Sequence, residues 1–466
     1  MNWTKEQQEA IYTRGCDLLV AAAAGSGKTA VLVERIINII TDKDNPVDID
    51  RLLIVTFTNA AAAEMRERIG EALSKKLEEE PRNFHLQKQL ALLHRASIST
   101  IHAFCLNVIK SNFHLLDIEP SFRIADEGEI LLIKTDVLEE LFENLYQRED
   151  EGFLTLVESY GGKKEDTKLK EMLLDIYNFI ESHPWPKDWL RQKVESFNPE
   201  QIDFKNSIWI KMIKEQILEE SKELLEIAKQ AIKLCMEPAG PKKFIDALND
   251  DISHIEKIIS LCEGDIEELY NYIQQISLKP LNDRSKDIDE NIKTEVKMLR
   301  ESIREGIQKG FKDKLLFKSP KEMEKDLHKL YPVMKALENV LNEFENRYQA
   351  VKKDKGIIDF NDIEHYCLNI LLDEKSSMEQ IIPSAVAIEL QKRYKEILID
   401  EYQDSNLVQE TILELISGKY AGMPNRFMVG DVKQSIYRFR QARPELFMDK
   451  YHTYSEKPGD KNRKIK

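Results

Sequence analysis

Asp17-Leu18-Leu19-Val20-Ala21-Ala22-Ala23-Ala24-Gly25-Ser26-Gly27-Lys28-Thr29-Ala30 is the stretch from which the fold is read. Its first five residues form a short apolar run, as in a strand buried on both faces. Beyond the loop, Val31, Leu32, Val33, Ile36, Ile37 and Ile40 recur at helical spacing. Gly25 and Gly27 lack the Cβ that hinders close approach, so successive backbone N–H groups and a helix N-terminus can converge on one anion. Lys28 is then placed to reach the β- and γ-phosphates of a nucleotide, and the Thr29 hydroxyl to hold Mg²⁺. The strict phosphate-loop pattern has glycine where this chain has Ala22. An ordinary Gly-Ser turn ahead of a helix is therefore the alternative at this stretch.

The totals bound the setting. At 466 residues the chain exceeds one ordinary core and is expected to hold two or three compact units. Its net charge of −15 means that nucleic-acid binding would need local grooves instead of a globally basic surface. Five scattered cysteines (Cys16, Cys105, Cys235, Cys262, Cys367) form no C-x-x-C pair, which points to a reducing compartment and no zinc site. The N-terminus lacks a signal-peptide core, and no apolar run approaches the roughly 20 residues that span a bilayer. A cytoplasmic protein with no membrane partner is expected.

Working outward, Thr4 with Gln7 three residues on reads as a capping box at a helix start; the Gln7 amide is equally suited to read an adenine edge. Arg51 to Thr56 reads as a second buried strand ending in Phe57-Thr58-Asn59, with a helix from Ala60 to about Leu73. Phe57 is either core or a base-stacking platform. Ala96 to Cys105 reads as a third strand ending in polar residues, with His102 more simply a partly buried histidine than a catalyst.

From about Ser121 to Gly356 Lys and Glu dominate and helical periodicity takes over, as in an inserted helical domain. One stripe is Ile213, Ile217, Leu224, Leu225, Ala228 and Ile232. Another is Ile255, Ile258, Ile259, Cys262, Ile266, Leu269 and Ile273. The α/β pattern resumes at Ile357, and Ile397-Leu398-Ile399-Asp400-Glu401 is an apolar strand ending in two acids. Beside a phosphate loop, Asp400 would support Mg²⁺ and Glu401 would orient or deprotonate the attacking water. Arg426 to Asp431 is a further strand. After it Gln434 could sense the γ-phosphate, and Tyr437, Phe439 and Arg440 interleave aromatic and cationic groups as on a single-strand path, or form an ordinary amphipathic edge.

Together these stretches resemble superfamily 1 DNA helicases of the UvrD/Rep type, and most closely the AddA branch of the AddAB-type helicase-nucleases. Gln7 falls on the family's Q motif, residues 22 to 29 on motif I, Thr56 to Asn59 on motif Ia and Ser99 to His102 on the next DNA-facing motif. Asp400 to Asp404 falls on motif II and Gly430 to Arg440 on motif III. The alanine-rich lead is normal in that branch, which accounts for Ala22.

The resemblance implies an α/β fold: a P-loop NTPase, RecA-like parallel sheet forming the first motor lobe from residues 1–120 and 357–466, interrupted by an all-α insertion at 121–356. It implies ATP bound by Gln7, Ala22, Ala23, Ala24, Gly25, Ser26, Gly27, Lys28 and Thr29, Mg²⁺ on Thr29 and Asp400, and catalysis by Lys28, Asp400, Glu401 and Gln434. Phe57, Thr58, Asn59, His102, Tyr437, Phe439 and Arg440 would contact DNA, single strand and duplex end, with 3′ to 5′ polarity and a partner subunit of the AddB type. The family's second lobe, with its γ-phosphate arginines, and its nuclease domain are expected to lie outside these residues. Loss of such an arginine costs about 10³ to 10⁵ in rate, roughly 4 to 7 kcal/mol. The chain alone is therefore expected to bind ATP as a half-motor and turn it over slowly. The rival readings are a UvrD/Rep helicase without a nuclease, a truncated ATP- and DNA-binding module, and a coiled-coil clamp ATPase. The last would carry a Leu-Ser-Gly-Gly signature, which this sequence lacks.

Overall fold

The computed structural model describes residues 3–23, 25–116, 118–119, 121–161, 166–281, 288–435 and 441–466. The chain divides into two compact units, one made of Met1–Arg191 with Asn339–Lys466 and the other of Gln192–Glu338.

The first unit is built on a parallel sheet. Its strands are β1 (Asp17–Ala21), β2 (Leu52–Thr56), β3 (Ser97–Thr100), β6 (Glu396–Ile399), β7 (Arg426–Gly430) and β8 (Asn462–Ile465), in the order β3-β2-β6-β7-β1-β8. A separate parallel pair joins β4 (Arg123–Ile124) to β5 (Ile357–Ile358). Successive residues along β1, β2, β6 and β7 enter opposite cores. Leu19, Leu53, Val55, Ile397, Ile399 and Met428 pack under the helices Ile101–Asn112, Phe360–Leu371 and Leu407–Leu415. Leu18, Val20, Leu52, Ile54, Leu398, Phe427 and Val429 pack under the helices Lys5–Tyr12, Lys28–Ile40 and Asn59–Glu79. Burial on both faces is why these strands read as unbroken apolar runs.

Several boundaries differ from the sequence expectation. The helix after β2 runs from Asn59 to Glu79, past Leu73, its last turns being charged and solvated. The third strand stops at Thr100, whose side chain accepts from the Ala103 N–H and starts a new helix. His102 therefore sits in the first turn of a helix, not at a strand end. The second compact unit begins at Gln192 and ends at Glu338, whereas the composition shift spans 121 to 356. The helices Glu127–Gln147 and Thr167–Ile180 belong to the first unit, where Lys134 binds Asn178 and Tyr177 binds Glu345.

In the second unit, Ile217, Leu224 and Ala228 of the helix Ile208–Cys235 meet Ile255, Ile258, Cys262, Ile266, Leu269 and Ile273 in one core. The latter stripe is carried by two helices, Ile245–Leu261 and Ile266–Gln275, because the chain turns at Cys262–Gly264. Among the described residues, no helix is long and apolar enough to cross a membrane.

Candidate nucleotide-binding site

The phosphate-loop stretch lies at the C-terminal edge of the sheet. In-register pairing sets Ala21 of β1 beside Gly430 of β7, and the Ala22 N–H continues the ladder to the Gly430 carbonyl at 3.0 Å. Gly25 (φ 74°) and Gly27 (φ 81°) both adopt the left-handed conformation that side chains disfavour. Gly27 caps the helix Lys28–Ile40 without a side-chain hydrogen bond, and no acid occupies its first turn. Such a helix start offers donors and the positive end of its dipole to an anion. Ala24 lies outside the described residues.

Gln7 does two things. Its backbone and Oε1 complete the capping box with Thr4, and its Nε2 donates to the Ser26 carbonyl at 3.0 Å, tying the first helix to the loop. The capping box is therefore real, and the same side chain also sits at the loop.

Lys28 Nζ stands 3.3 Å from Glu401 Oε2, so the loop and the acids after β6 converge. The Asp400 N–H donates to the Val55 carbonyl, which holds that residue at the sheet edge. Burial, reinforced by the neighbouring Glu401 charge, raises the Asp400 carboxyl to about 6, with the Glu401 N–H and Lys28 opposing. Glu401 itself has φ 52°, a left-handed backbone rare for a side-chain-bearing residue and typical of functional sites that hold strain.

Sequence reasoning assigned no role to the two residues that organise this corner. Gln403 is 1% exposed and bonds both Glu401 and the Asp431 N–H. Gly430 lets it approach, because a Cβ there would collide with Gln403 Oε1. A glycine closing an apolar run was the visible signal. Gln434 Nε2 donates to Asp431 Oδ2 at 2.6 Å, and Ser435 Oγ to Asp404 Oδ1 at 3.1 Å.

The expected DNA-facing residues are more dispersed. Phe57 is half-buried after β2. Thr58 caps the helix Asn59–Glu79, its side chain accepting from the Ala61 N–H, and Asn59 is exposed. His102 Nε2 lies 3.1 Å from Glu364 Oε1, with its ring edge-on to Phe360. Burial pushes the Glu364 carboxyl up, yet His102 and the amides of Asn406 and Gln409 outweigh it and hold it below its ordinary value. That partner lay too far along the chain for spacing to reveal. Tyr437, Phe439 and Arg440 lie outside the described residues. Among the described residues no cluster of three potential metal ligands forms from His, Cys, Asp and Glu.

A parallel sheet whose strand ends present a glycine loop, a lysine and paired acids defines a class, and similarity to known proteins gives that class its name. Residues 3–455 match the UvrD/REP helicase N-terminal domain, and the chain belongs to that family. It is 51% identical, over 99% of its length, to the A subunit of the ATP-dependent helicase/nuclease of Clostridium perfringens (strain 13 / Type A), covering 36% of that protein. It is 49% identical over 99% of its length to the protein of the same name from Thermoanaerobacter pseudethanolicus, covering 37% of it. The chain thus spans little more than a third of the length of these relatives.

Proposed function

We propose that this chain binds ATP with Mg²⁺ and forms the first, RecA-like motor lobe of a 3′ to 5′ superfamily 1 DNA helicase. On this reading it acts in the cytoplasm as part of an AddA-type helicase-nuclease, with an AddB-type partner, in double-strand-break repair. The lobe comprises 1–120 and 357–466 with the helical insertion between them, and these residues supply the nucleotide-binding half of the motor. One observation carries the reading: the lysine of a glycine loop after β1 faces Glu401 after β6, 3.3 Å apart across the end of the intervening β7 and beside a second acid. The helicase/nuclease names of the two relatives support it.

The donor set fits a phosphate chain and a hard divalent cation. Among the described residues, the adjacent carboxylates of Asp400 and Glu401 have the Lys28 ammonium as their near cation, which leaves room for added positive charge. Thr29 and Asp400 would hold Mg²⁺, which when bound neutralises charge on the β- and γ-phosphates. Lys28 exchanges Glu401 for phosphate oxygens, and the Glu401 carboxylate, still held by Gln403, then orients water and accepts its proton. The glycine loop and the first turn of the helix Lys28–Ile40 offer N–H groups to the phosphates, and Gln7 fixes the loop while facing the base. Gln434 reads the γ-phosphate end. Phe57, Thr58, Asn59, His102, Tyr437, Phe439 and Arg440 line the single-strand path, with aromatic faces stacking on bases.

Titrating a fluorescent ATP analogue with Mg²⁺ into the chain tests this. Saturable binding is expected, and Lys28→Ala should weaken it roughly 10- to 100-fold, the worth of its charge-assisted contacts. Absence of saturable binding by the unmodified chain would refute the reading.

A further inference from the structure

We propose that Gln403 is a positioning residue that transmits the state of the phosphate loop from Glu401 to the turn at Asp431–Ser435. The inference rests on the nucleotide site proposed above and deepens it by naming the side chain through which that site communicates.

Gln403 lies within the short 3-10 turn Tyr402–Asp404 and is buried. Its Nε2 donates to Glu401 Oε2 at 2.8 Å and to Asp404 Oδ2 at 3.1 Å, while its Oε1 accepts from the Asp431 N–H at 2.9 Å. An amide has donors on one side and an acceptor on the other. Here the donors meet two carboxylates and the acceptor meets a backbone N–H. The reversed amide would set its carbonyl against both carboxylates, so only one orientation is permitted. Gly430 makes the close approach possible, because any Cβ there collides with this amide.

Both ends of this link have further partners. Glu401 is shared between Lys28, at 3.3 Å, and the Gln403 amide. When phosphate takes Lys28, the amide still holds that carboxylate, and a shift of Glu401 shifts the amide. At the far side, Asp431 receives Gln434 Nε2 on its own carboxylate, and Ser435 donates to Asp404, the amide's second acceptor. The turn is thus fastened to Gln403 directly through Asp431 and at one remove through Asp404. A backbone route also exists, since the Ala22 N–H bonds the Gly430 carbonyl. The experiment must separate the two.

The 466-residue chain is labelled by hydrogen exchange, with and without Mg²⁺ and adenylyl imidodiphosphate, at pH 6 and pH 8, labelling times being scaled to the intrinsic exchange rate. In the unmodified chain, nucleotide is expected to change the protection of peptides covering 430–435 at both pH values. Gln403→Ala should keep its affinity for the analogue but lose that change at both. Gln403→Glu supplies the discriminating arm. Protonated, the introduced carboxyl can donate to Glu401 as the amide does; ionised, it repels Glu401 and Asp404. Its coupling should therefore be present at pH 6 and lost at pH 8, a pattern that a simple packing role cannot produce. If the unmodified chain binds the analogue and both variants transmit the change as it does, the backbone route suffices and the proposal is overturned. If the unmodified chain does not bind the analogue at all, the nucleotide site itself is overturned, and this inference with it.

Discussion

Replacing Arg426 by Met should be among the most damaging single changes in the first unit. Arg426 opens β7 and is 2% exposed. Its Nε and Nη2 donate to Asp17 Oδ2 at 2.9 and 2.6 Å, and its Nη1 to Glu410 Oε1 at 2.9 Å. Asp17 is equally buried, at 2%, and Glu410 is 5% exposed. Methionine fills most of the volume but strands Asp17 with the Arg426 backbone N–H and leaves Glu410 to Lys450 and the Tyr402 hydroxyl. Breaking a buried pair from one side costs about 3 to 5 kcal/mol. Thermal midpoints in a unit of this size should therefore fall by roughly 5 to 10 °C.

The pH dependence carries a sign. In the native chain burial pushes the Glu410 carboxyl up, but Arg426 and Lys450 outweigh it and hold it low. A depressed carboxyl stabilises above its unfolded value and loses that contribution as pH falls. Without Arg426 the Glu410 carboxyl loses the larger of the charges that hold it low, so the penalty should be greatest near pH 8 and shrink toward pH 5. Urea titrations at the two pH values, followed by circular dichroism, measure it. Adding Asp17→Asn to Arg426→Met should recover part of the loss. A cost under about 1 kcal/mol, the range of an exposed pair, or a penalty that grows toward acid, would refute the reasoning.

Two further outcomes follow from other corners. Gln7→Glu keeps a capping-box acceptor for the Thr4 N–H but removes the donor to the Ser26 carbonyl, so the thermal midpoint should hold while affinity for the fluorescent ATP analogue falls; an unchanged midpoint with unchanged affinity would assign Gln7 to the cap alone. Burial, with the Glu345 and Asp359 charges, raises the Glu181 carboxyl to about 8. Its stability contribution is therefore complete below the ordinary carboxylate range and lost as pH rises through 8, so Glu181→Gln should flatten the fall in urea midpoint between pH 6 and pH 8.

What the sequence disclosed follows from where each signal is stored. The glycine turn ahead of the helix Lys28–Ile40, the apolar runs of β1, β2, β6 and β7 and the Thr4–Gln7 capping box are local patterns, carried by residues within a few positions of one another, and each is present as structure. The Gln403–Asp431 bond, the His102–Glu364 pair and the Arg35–Glu396 pair are not local. Gln403 meets Asp431 and Arg35 meets Glu396 because the sheet order places β6, distant in sequence, between β2 and β7, and His102 meets Glu364 because the helices Ile101–Asn112 and Phe360–Leu371 pack together. Arg35 shows the limit well. A charged residue among the apolar positions of its helix, it is nonetheless buried, because Glu396 at the start of β6 and the Ala10 carbonyl satisfy it.

Asp17 and Arg426 take this one step further. Each is merely the charged first residue of an apolar run, the kind of position that marks a strand's exposed beginning. In the sheet they are neighbours, since Leu18 pairs with Phe427 and the preceding residues therefore face each other. The apolar residues above them constrain the register weakly: in a strand buried on both faces a slip of one exchanges one apolar side chain for another. The ion pair supplies what they lack, because the same slip would leave a buried charge unpaired. At the other end of this register, Ala21 lies opposite Gly430, the position where a side chain would collide with Gln403. A charge pair at the start of β1 and β7 thus helps set where the phosphate loop meets the Gly430 turn. It follows that Arg426→Met in chains that still fold should loosen exchange protection at Ala22 and Gly430 as well as lower stability, although neither residue touches the arginine.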